Sequence, residues 1–496
     1  MRRPEPEYLK VKRSRAYSVL DGAFYMLMDG FTSSFVVPYA LFLNASNLVI
    51  SMLASFPDLF ASFFQLLSIK ASEVFKSRKG IIVFSALLQA ALWLPIMAIP
   101  WIASGPSQGY LLIILYSALV SANYFIAPLW KSLMGDLISE NERGSYFGMR
   151  NKIAAAVNFF SALAAGWTLQ HFSISSPTTG FAILFFVAFG ARVISSVFLA
   201  MMFDPRQAIG VSRPVKDSYT VGKFMKGLTT TDFGKFVLFL CIFRVAVSFS
   251  GPFFSVYDLK YLGFSYTQYT MFIAAEIIAS IIFLGVWGRM NDERGSKVVI
   301  LFSGIMIPAV PLLYLVDKSF YFILAVSFYS GAVWAGFNLA VGNFLLDAAK
   351  PEERVKYSAY FQLFHGLAVF VGSMMGGLFL SLMPPTGESI LSIFVISGIF
   401  RLAVAAFLFP LIKEMRLVEL PVGKSLFAYP LIIKPRHRFV KDPFDYFLAY
   451  PTRPKKKKPN IYMGPEPPDE QEERERLRKK QREEKMFVDR MLGRRR

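Results

Sequence analysis

Five ionisable side chains stand deep inside long apolar runs of this chain: Asp29, Arg192, Arg244, Glu276 and Arg401. An ion at the centre of a hydrocarbon layer costs about 2.5–3.5 kcal/mol on insertion scales, so each needs a partner, a watery path or a function. A carboxylate on such a path can carry a proton or bind a cation, and an arginine can hold a polar or anionic group. Asp29 is the strongest candidate carrier. The competing reading fixes it in an ion pair with Arg192. Glu276 reads as the structural partner of Arg401, and the two arginines read as scaffold charges. Asp21 and Asp58 fall nearer the ends of their runs.

Other chemistries lack their residues. One cysteine, Cys241, permits neither an internal disulfide nor a CxxC site. His171, His365 and His437 are too few and too scattered for zinc. No Ser/His/Asp constellation, catalytic carboxylate pair or Walker A loop occurs, so neither enzymatic activity nor ATP-driven transport is expected, and no cofactor or metal.

The elements that must position these charges are apolar helices. Hydrophobic residues make up 54% of the 496 and charged residues 18%, against roughly 25% charged in soluble domains. Such a chain has the bilayer as its solvent. A spanning helix needs about 20 largely apolar residues. Twelve such spans are expected, at 17–43, 47–69, 80–103, 109–135, 146–170, 181–203, 233–257, 266–288, 297–316, 319–346, 357–383 and 389–413. The expected fold class is an all-α membrane protein of two six-helix bundles: 1–203, a polar linker at 204–232, a second bundle at 233–413, and a charged tail at 414–496.

Lys and Arg concentrate at the N-terminus and after spans 2, 4, 6, 8 and 10, whereas the opposite loops carry only Lys260 and Lys318. That bias places both termini in the cytoplasm, and the expected location is the plasma membrane. Asn44-Ala45-Ser46 is a glycosylation sequon on the outer side, although it abuts a helix end.

The two halves repeat. Asp136, Arg143 and Tyr146 join spans 4 and 5, and Asp347, Arg354 and Tyr357 join spans 10 and 11 at the same spacing. Gly166 and Gly377 each follow 30 residues after their Asp, and Arg192 and Arg401 sit mid-span in spans 6 and 12. Parallel repeats related by an axis along the membrane normal are a transporter architecture with the substrate site between them.

With these features, the run from Gly288 to Lys297 between spans 8 and 9 resembles the cytoplasmic loop motif of the major facilitator superfamily, Gly-x3-Asp-x2-Gly-x-basic, with Gly288, Asp292, Gly295 and Lys297 in place. The first-half equivalent, 68–79, keeps Lys76, Arg78 and Lys79 but has Ser72 where the family has Asp. The glycine-proline signature of drug/proton antiporters is absent from span 5, which reads Ala162 to Trp167. The resemblance covers about residues 15–413. It implies that spans 1, 4, 7 and 10 line a central cavity. Asp29 and Arg244 then become the residues closest to solute or coupling ion, with Tyr39, Asn123, Trp130, Tyr257, Trp334, Asn338 and Asn343 on the same spans. It also implies a cytoplasmic gate in which Asp292 meets Arg150 or Lys152. Around it, Arg294 belongs to the loop motif, Asp136 braces Arg143, and Asp347 braces Arg354.

Half of the net charge of +20 lies in residues 421–496, which hold 21 Lys/Arg against 11 Asp/Glu. The stretch 469–491 reads as a charged helix with i,i+4 pairs such as Glu470/Arg474. Anionic lipid headgroups are the expected partner of this tail, beside a solvated appendage as the plainer reading. No nucleic acid is expected. The function expected is secondary or facilitated transport of a small organic solute by alternating access, with protons or another ion as coupling partner. The alternative is a non-transporting sensor of the same fold acting through its tail.

Overall fold

The structure is a computed structural model that describes residues 7–74, 78–139, 142–205, 221–348 and 354–408, with side chains over most of them. The linker residues 206–220, the tail after 408, and the side chains of Asp347, Arg354 and Tyr357 lie outside the described residues.

Helix is the regular structure throughout the described residues. The first half comprises α1 (Glu7–Thr32), α2 (Val36–Phe42), α3 (Asn47–Leu53), α4 (Phe56–Val74), α5 (Arg78–Ile102), α6 (Ser107–Leu137), α7 (Arg143–Phe172) and α8 (Pro177–Met201). After α9 (Val221–Thr230), the second half comprises α10 (Asp232–Ser248), α11 (Phe253–Val256), a π-helical turn (Tyr257–Tyr261), α12 (Tyr266–Arg294), α13 (Ser296–Met306), α14 (Ala309–Leu313), α15 (Phe320–Ala348), α16 (Arg354–Ser381) and α17 (Gly387–Leu408).

Eleven segments among the described residues are long and apolar enough to cross a membrane. The expected first span is the one that is not: the chain breaks at Ser33–Phe35, which splits it into α1 and α2, and α1 carries a charged first half. It nevertheless packs along α7 and α8 as a member of the bundle.

Four expected spans are broken helices, and each break has a proline at it: Pro38 for α1/α2, Pro57 for α3/α4, Pro252 for α10/α11 and Pro308 for α13/α14. Proline lacks the N–H that would continue the ladder and its ring clashes with the carbonyl four residues back. Pro95, Pro100 and Pro128 are carried inside α5 and α6 without a break.

In the first half α1 packs on α7 and α8, α5 on α6 and α8, and α4 on α6. In the second, α15 packs on α12 and α13, and α10 on α16 and α17. The halves meet through α7 with α12, α16 with α3 and α4, and α2 with α11. The repeated glycines make two of these seams. A Cβ at Gly166 would collide with the Thr270 side chain of α12, and one at Gly377 with the Ser51 side chain of α3. Small residues at such seams let helices close on each other where lipid supplies no hydrophobic drive.

One core cluster crosses both halves, joining Phe35, Tyr39 and Val49 to Phe253, Val256 and Tyr269. Tyr269 adds a hydrogen bond from its hydroxyl to the Ser34 carbonyl at 3.1 Å. The other two clusters stay within one half each, around Leu129, Leu133 and Leu199 and around Phe236, Val299 and Phe344. The cross-half cluster lies at the end of the bundle opposite the Lys/Arg-rich loops, so the halves are sealed at that end.

Candidate functional site

A cavity of about 180 Å3 lies within the first half, walled by α1, α4, α5 and α6. Asp29 and Asp58 both line it, with Tyr25, Trp93, Asn123 and Tyr124. Asp29 stands one turn before the α1/α2 break, and its backbone carbonyl accepts from Ser33 N–H at 2.8 Å. Asp58 follows Pro57 in the first turn of α4, where the unpaired N–H groups of a helix start favour a carboxylate. Both breaks therefore bring a carboxylate to the cavity. Asn158 Nδ2 donates to Asp29 Oδ2 at 3.0 Å, and Tyr124 Oη donates to Asp58 Oδ1 at 3.1 Å. No Lys or Arg is among the lining residues. Two residues before Asp58, Phe56 meets Phe370 of the second half with centroids 6.2 Å apart.

The alternative pairing of Asp29 with Arg192 does not occur. Arg192 Nε donates to Gln89 Oε1 at 2.7 Å, and its Nη1 donates to Ser195 Oγ at 2.7 Å and approaches Asp21 Oδ1 at 3.9 Å. Ser195 Oγ in turn donates to Asp21 Oδ1 at 2.7 Å. Asp21 is buried and also faces Arg150 Nη2 at 3.6 Å. The scaffold carboxylate of α1 is thus Asp21, which leaves Asp29 to the cavity.

The expected pair of Glu276 with Arg401 is also absent. Arg401 donates to Ser397 Oγ at 3.1 Å, Ser250 Oγ at 2.8 Å and the Val247 carbonyl at 3.1 Å. That carbonyl lies at the α10/α11 break, where it also accepts from Gly251 N–H at 3.1 Å, and a helix C-terminus favours a cation. Glu276 faces Ser330 of α15 instead.

Tyr39 and Tyr257, expected on the solute path, are packing residues. Tyr39 is 1% exposed, stacks among Phe42, Phe181 and Phe185, and donates its hydroxyl to the Ile96 carbonyl at 2.9 Å. Tyr257 is buried among Tyr261, Tyr314 and Phe394. Asn123 lines the first-half cavity. On the second half Arg244 donates to Asn338 Oδ1 at 3.3 Å and lies over the Trp334 ring at 5.0 Å, with Asn338 exposed. Sequence reading passed over Asp58 as a helix-end charge; the proline before it was the available signal. It also passed over Asp258, buried in the π-helical turn with an Oδ1 that has no hydrogen-bond partner.

At the Lys/Arg-rich end, Arg150 Nε donates to the Ser18 carbonyl at 3.1 Å, and its guanidinium lies over Trp130 at 4.4 Å. Gly22 leaves the room for it. Lys152 is exposed, and Asp292 is exposed with no ion pair among the described residues. Gly288 lies near the end of α12, Arg294 is buried as its last residue, and Gly295 turns the chain into α13 at φ 87°, a conformation only glycine adopts readily. Asp136 Oδ2 receives Arg78 Nη1 at 2.7 Å, while Arg143 donates to the Gly135 carbonyl at 3.1 Å. Arg78 also holds Asp204 with contacts of 2.6 and 3.0 Å and Ser132 at 3.0 Å. It ties α5, α6 and the end of α8 together.

Among known proteins, a sequence family model described as Major Facilitator Superfamily matches residues 236–450. No curated protein sequence matches the chain. The fold is shared with a crystal structure of the nucleoside transporter NupG, with TM-score 0.61, 11% identity, and 82% of this chain and 99% of that one covered. It is shared with a D-xylose-proton symporter at TM-score 0.61 and 13% identity, covering 82% and 98%. A bacterial homologue of the iron transporter ferroportin, in an inward-facing state, gives TM-score 0.60 and 13% identity, covering 81% and 99%.

Proposed function

We propose, on the premise that this chain belongs to the major facilitator superfamily, that it moves a small organic solute across the membrane by alternating access, driven by an ion gradient or by the solute's own. The observation that carries this reading is the asymmetry of the seam. The shared core cluster and the Tyr269–Ser34 bond join the halves at one end, while each half keeps its own core cluster at the other. A two-state protein that opens each end in turn has such a conformation as one of its states. With the positive-inside bias, the sealed end faces outward and this state is open to the cytoplasm. Neighbours that carry nucleosides and xylose support a small organic solute.

The test is uptake of labelled nucleosides, sugars and amines by liposomes containing the purified chain. Uptake that saturates and needs the protein supports transport. Absence of flux for every solute that binds would favour the sensor reading.

Orientation has its own test. In a Cys241→Ser background, Ser107→Cys and Thr386→Cys, both exposed at the sealed end, should react with an impermeant thiol reagent on whole cells. Glu293→Cys, exposed at the other end, should react only after permeabilisation. The reverse pattern would invert the topology.

The gate belongs to the other state. Here Arg150 serves Asp21, Ser18 and Trp130 within its own half. In the outward-open state, the approach of α12 to α7 at the cytoplasmic end brings Asp292 to Arg150 or Lys152. A partly exposed pair contributes at most about 1 kcal/mol, a several-fold population ratio. Asp292→Asn is therefore expected to raise cytoplasmic labelling of a cysteine in the inter-half gap several-fold. It is a cleaner probe than any Arg150 variant, which would also remove one of Asp21's partners. Unchanged labelling would remove Asp292 from the gate.

A further inference from the structure

We propose that the first-half cavity binds a small organic cation that also carries a hydrogen-bond acceptor, held between Asp29 and Asp58 with its acceptor on the indole N–H of Trp93. The binding claim stands on the cavity itself; only its role as cargo rests on the transport reading.

Three observations meet there. First, two carboxylates from different helices line one cavity with no lining cation. Arg192, whose guanidinium lies over the Tyr25 ring 5.0 Å from its centroid, is engaged by Asp21, Gln89 and Ser195. The cavity carboxylates have only neutral hydrogen-bond donors, Asn158 and Ser33 for Asp29 and Tyr124 for Asp58. A carboxylate has about four acceptor sites, so each keeps capacity for a ligand, and a cation is the ligand that the pair attracts.

Second, the walls suit an organic ion. Tyr25, Trp93, Tyr116 and Tyr124 present aromatic rings, which attract alkylammonium groups through their π faces. A cavity of about 180 Å3 is many times the room one water needs. No group of three or more His, Cys, Asp or Glu that could hold a metal ion occurs among the described residues. A bare ion would lack the six or more close oxygens that hard cations take.

Third, Trp93 is 1% exposed, lines the cavity, and its indole N–H has no partner in the protein. A buried donor left unpaired costs free energy, so a ligand that accepts from it gains over one that does not. A second core aromatic, Phe185, stacks on this ring at 5.3 Å and fixes its plane.

The experiment measures thermal unfolding of the purified full chain in detergent against four probes: choline, its neutral isostere 3,3-dimethylbutan-1-ol, tetramethylammonium and sodium chloride. A ligand that binds the folded state raises the melting temperature with its concentration. Choline is expected to stabilise the wild type and the isostere to have no effect. Asp29→Asn and Asp58→Asn should each weaken choline at least tenfold. Trp93→Phe, which keeps a ring but removes the N–H, should weaken choline several-fold more than tetramethylammonium, which has no acceptor. Equal stabilisation by the neutral isostere, stabilisation by sodium alone, or no stabilisation by either organic cation would overturn the proposal. The choline-against-isostere comparison needs no variant, so a misfolded mutant does not blunt it. Cation binding without flux in liposomes would sink the transport reading and leave this site standing. Flux of a neutral solute without cation binding would do the opposite.

Discussion

Asp29→Asn is expected to abolish gradient-driven accumulation while leaving the protein folded and able to exchange solute down a gradient. Asparagine matches the shape of aspartate, and the neighbouring donor, Asn158 Nδ2, can still be met by the new amide oxygen. What is lost is the charge. The carboxylate lies on the cavity wall one turn before the α1 break, and no arginine balances it. Hydrogen bonds to charged groups contribute about 1.5–3 kcal/mol, so a ligand or proton held there should lose roughly ten- to a hundredfold in affinity. The measurement is accumulation by proteoliposomes at pH values from 5 to 8. Equal accumulation by wild type and variant throughout would remove Asp29 from coupling.

The largest effect on stability is expected from Arg78→Ala. The guanidinium is 7% exposed, and it bridges Asp204, whose side chain is 1% exposed, and Asp136. Removing one partner of a buried ion pair costs about 3–5 kcal/mol, because the remaining charge stays in a medium that cannot solvate it. Arg78→Ala should therefore lower the melting temperature markedly and loosen the α5–α6–α8 junction. Arg78→Lys should recover only part of the loss, since a point charge cannot hold Asp204 through two nitrogens while reaching Asp136. An unchanged melting temperature in Arg78→Ala would show that the network carries no net stability.

What could be read from the sequence follows from what each signal reports. Apolar length gave the spans, and the spacing of Asp136, Gly166 and Arg192 against Asp347, Gly377 and Arg401 gave the repeat. The repeat has physical content, because Gly166 and Gly377 make two of the close approaches between halves. Pairing inside the bundle was harder. Asp21 and Asp29 lie on one helix about 12 Å apart in rise, and a span-level reading cannot tell which of them meets Arg192. Ring type was equally mute: Tyr39 and Tyr257 fill cores at the sealed end, and Asn123 faces the cavity. The four breaking prolines were in plain view. They were the overlooked clue to where the helices open and to why Asp58 belongs beside Asp29.

If the two ends open in turn, one position in the second half must be reachable from both faces of the membrane. Asn338 is exposed on α15 beside Arg244, in the second half. With Cys241 replaced by serine, Asn338→Cys should react with an impermeant thiol reagent in inside-out vesicles and, more slowly, in right-side-out ones. Solute should change the ratio of the two rates. Reaction from one face only, indifferent to every solute that binds, would contradict alternating access.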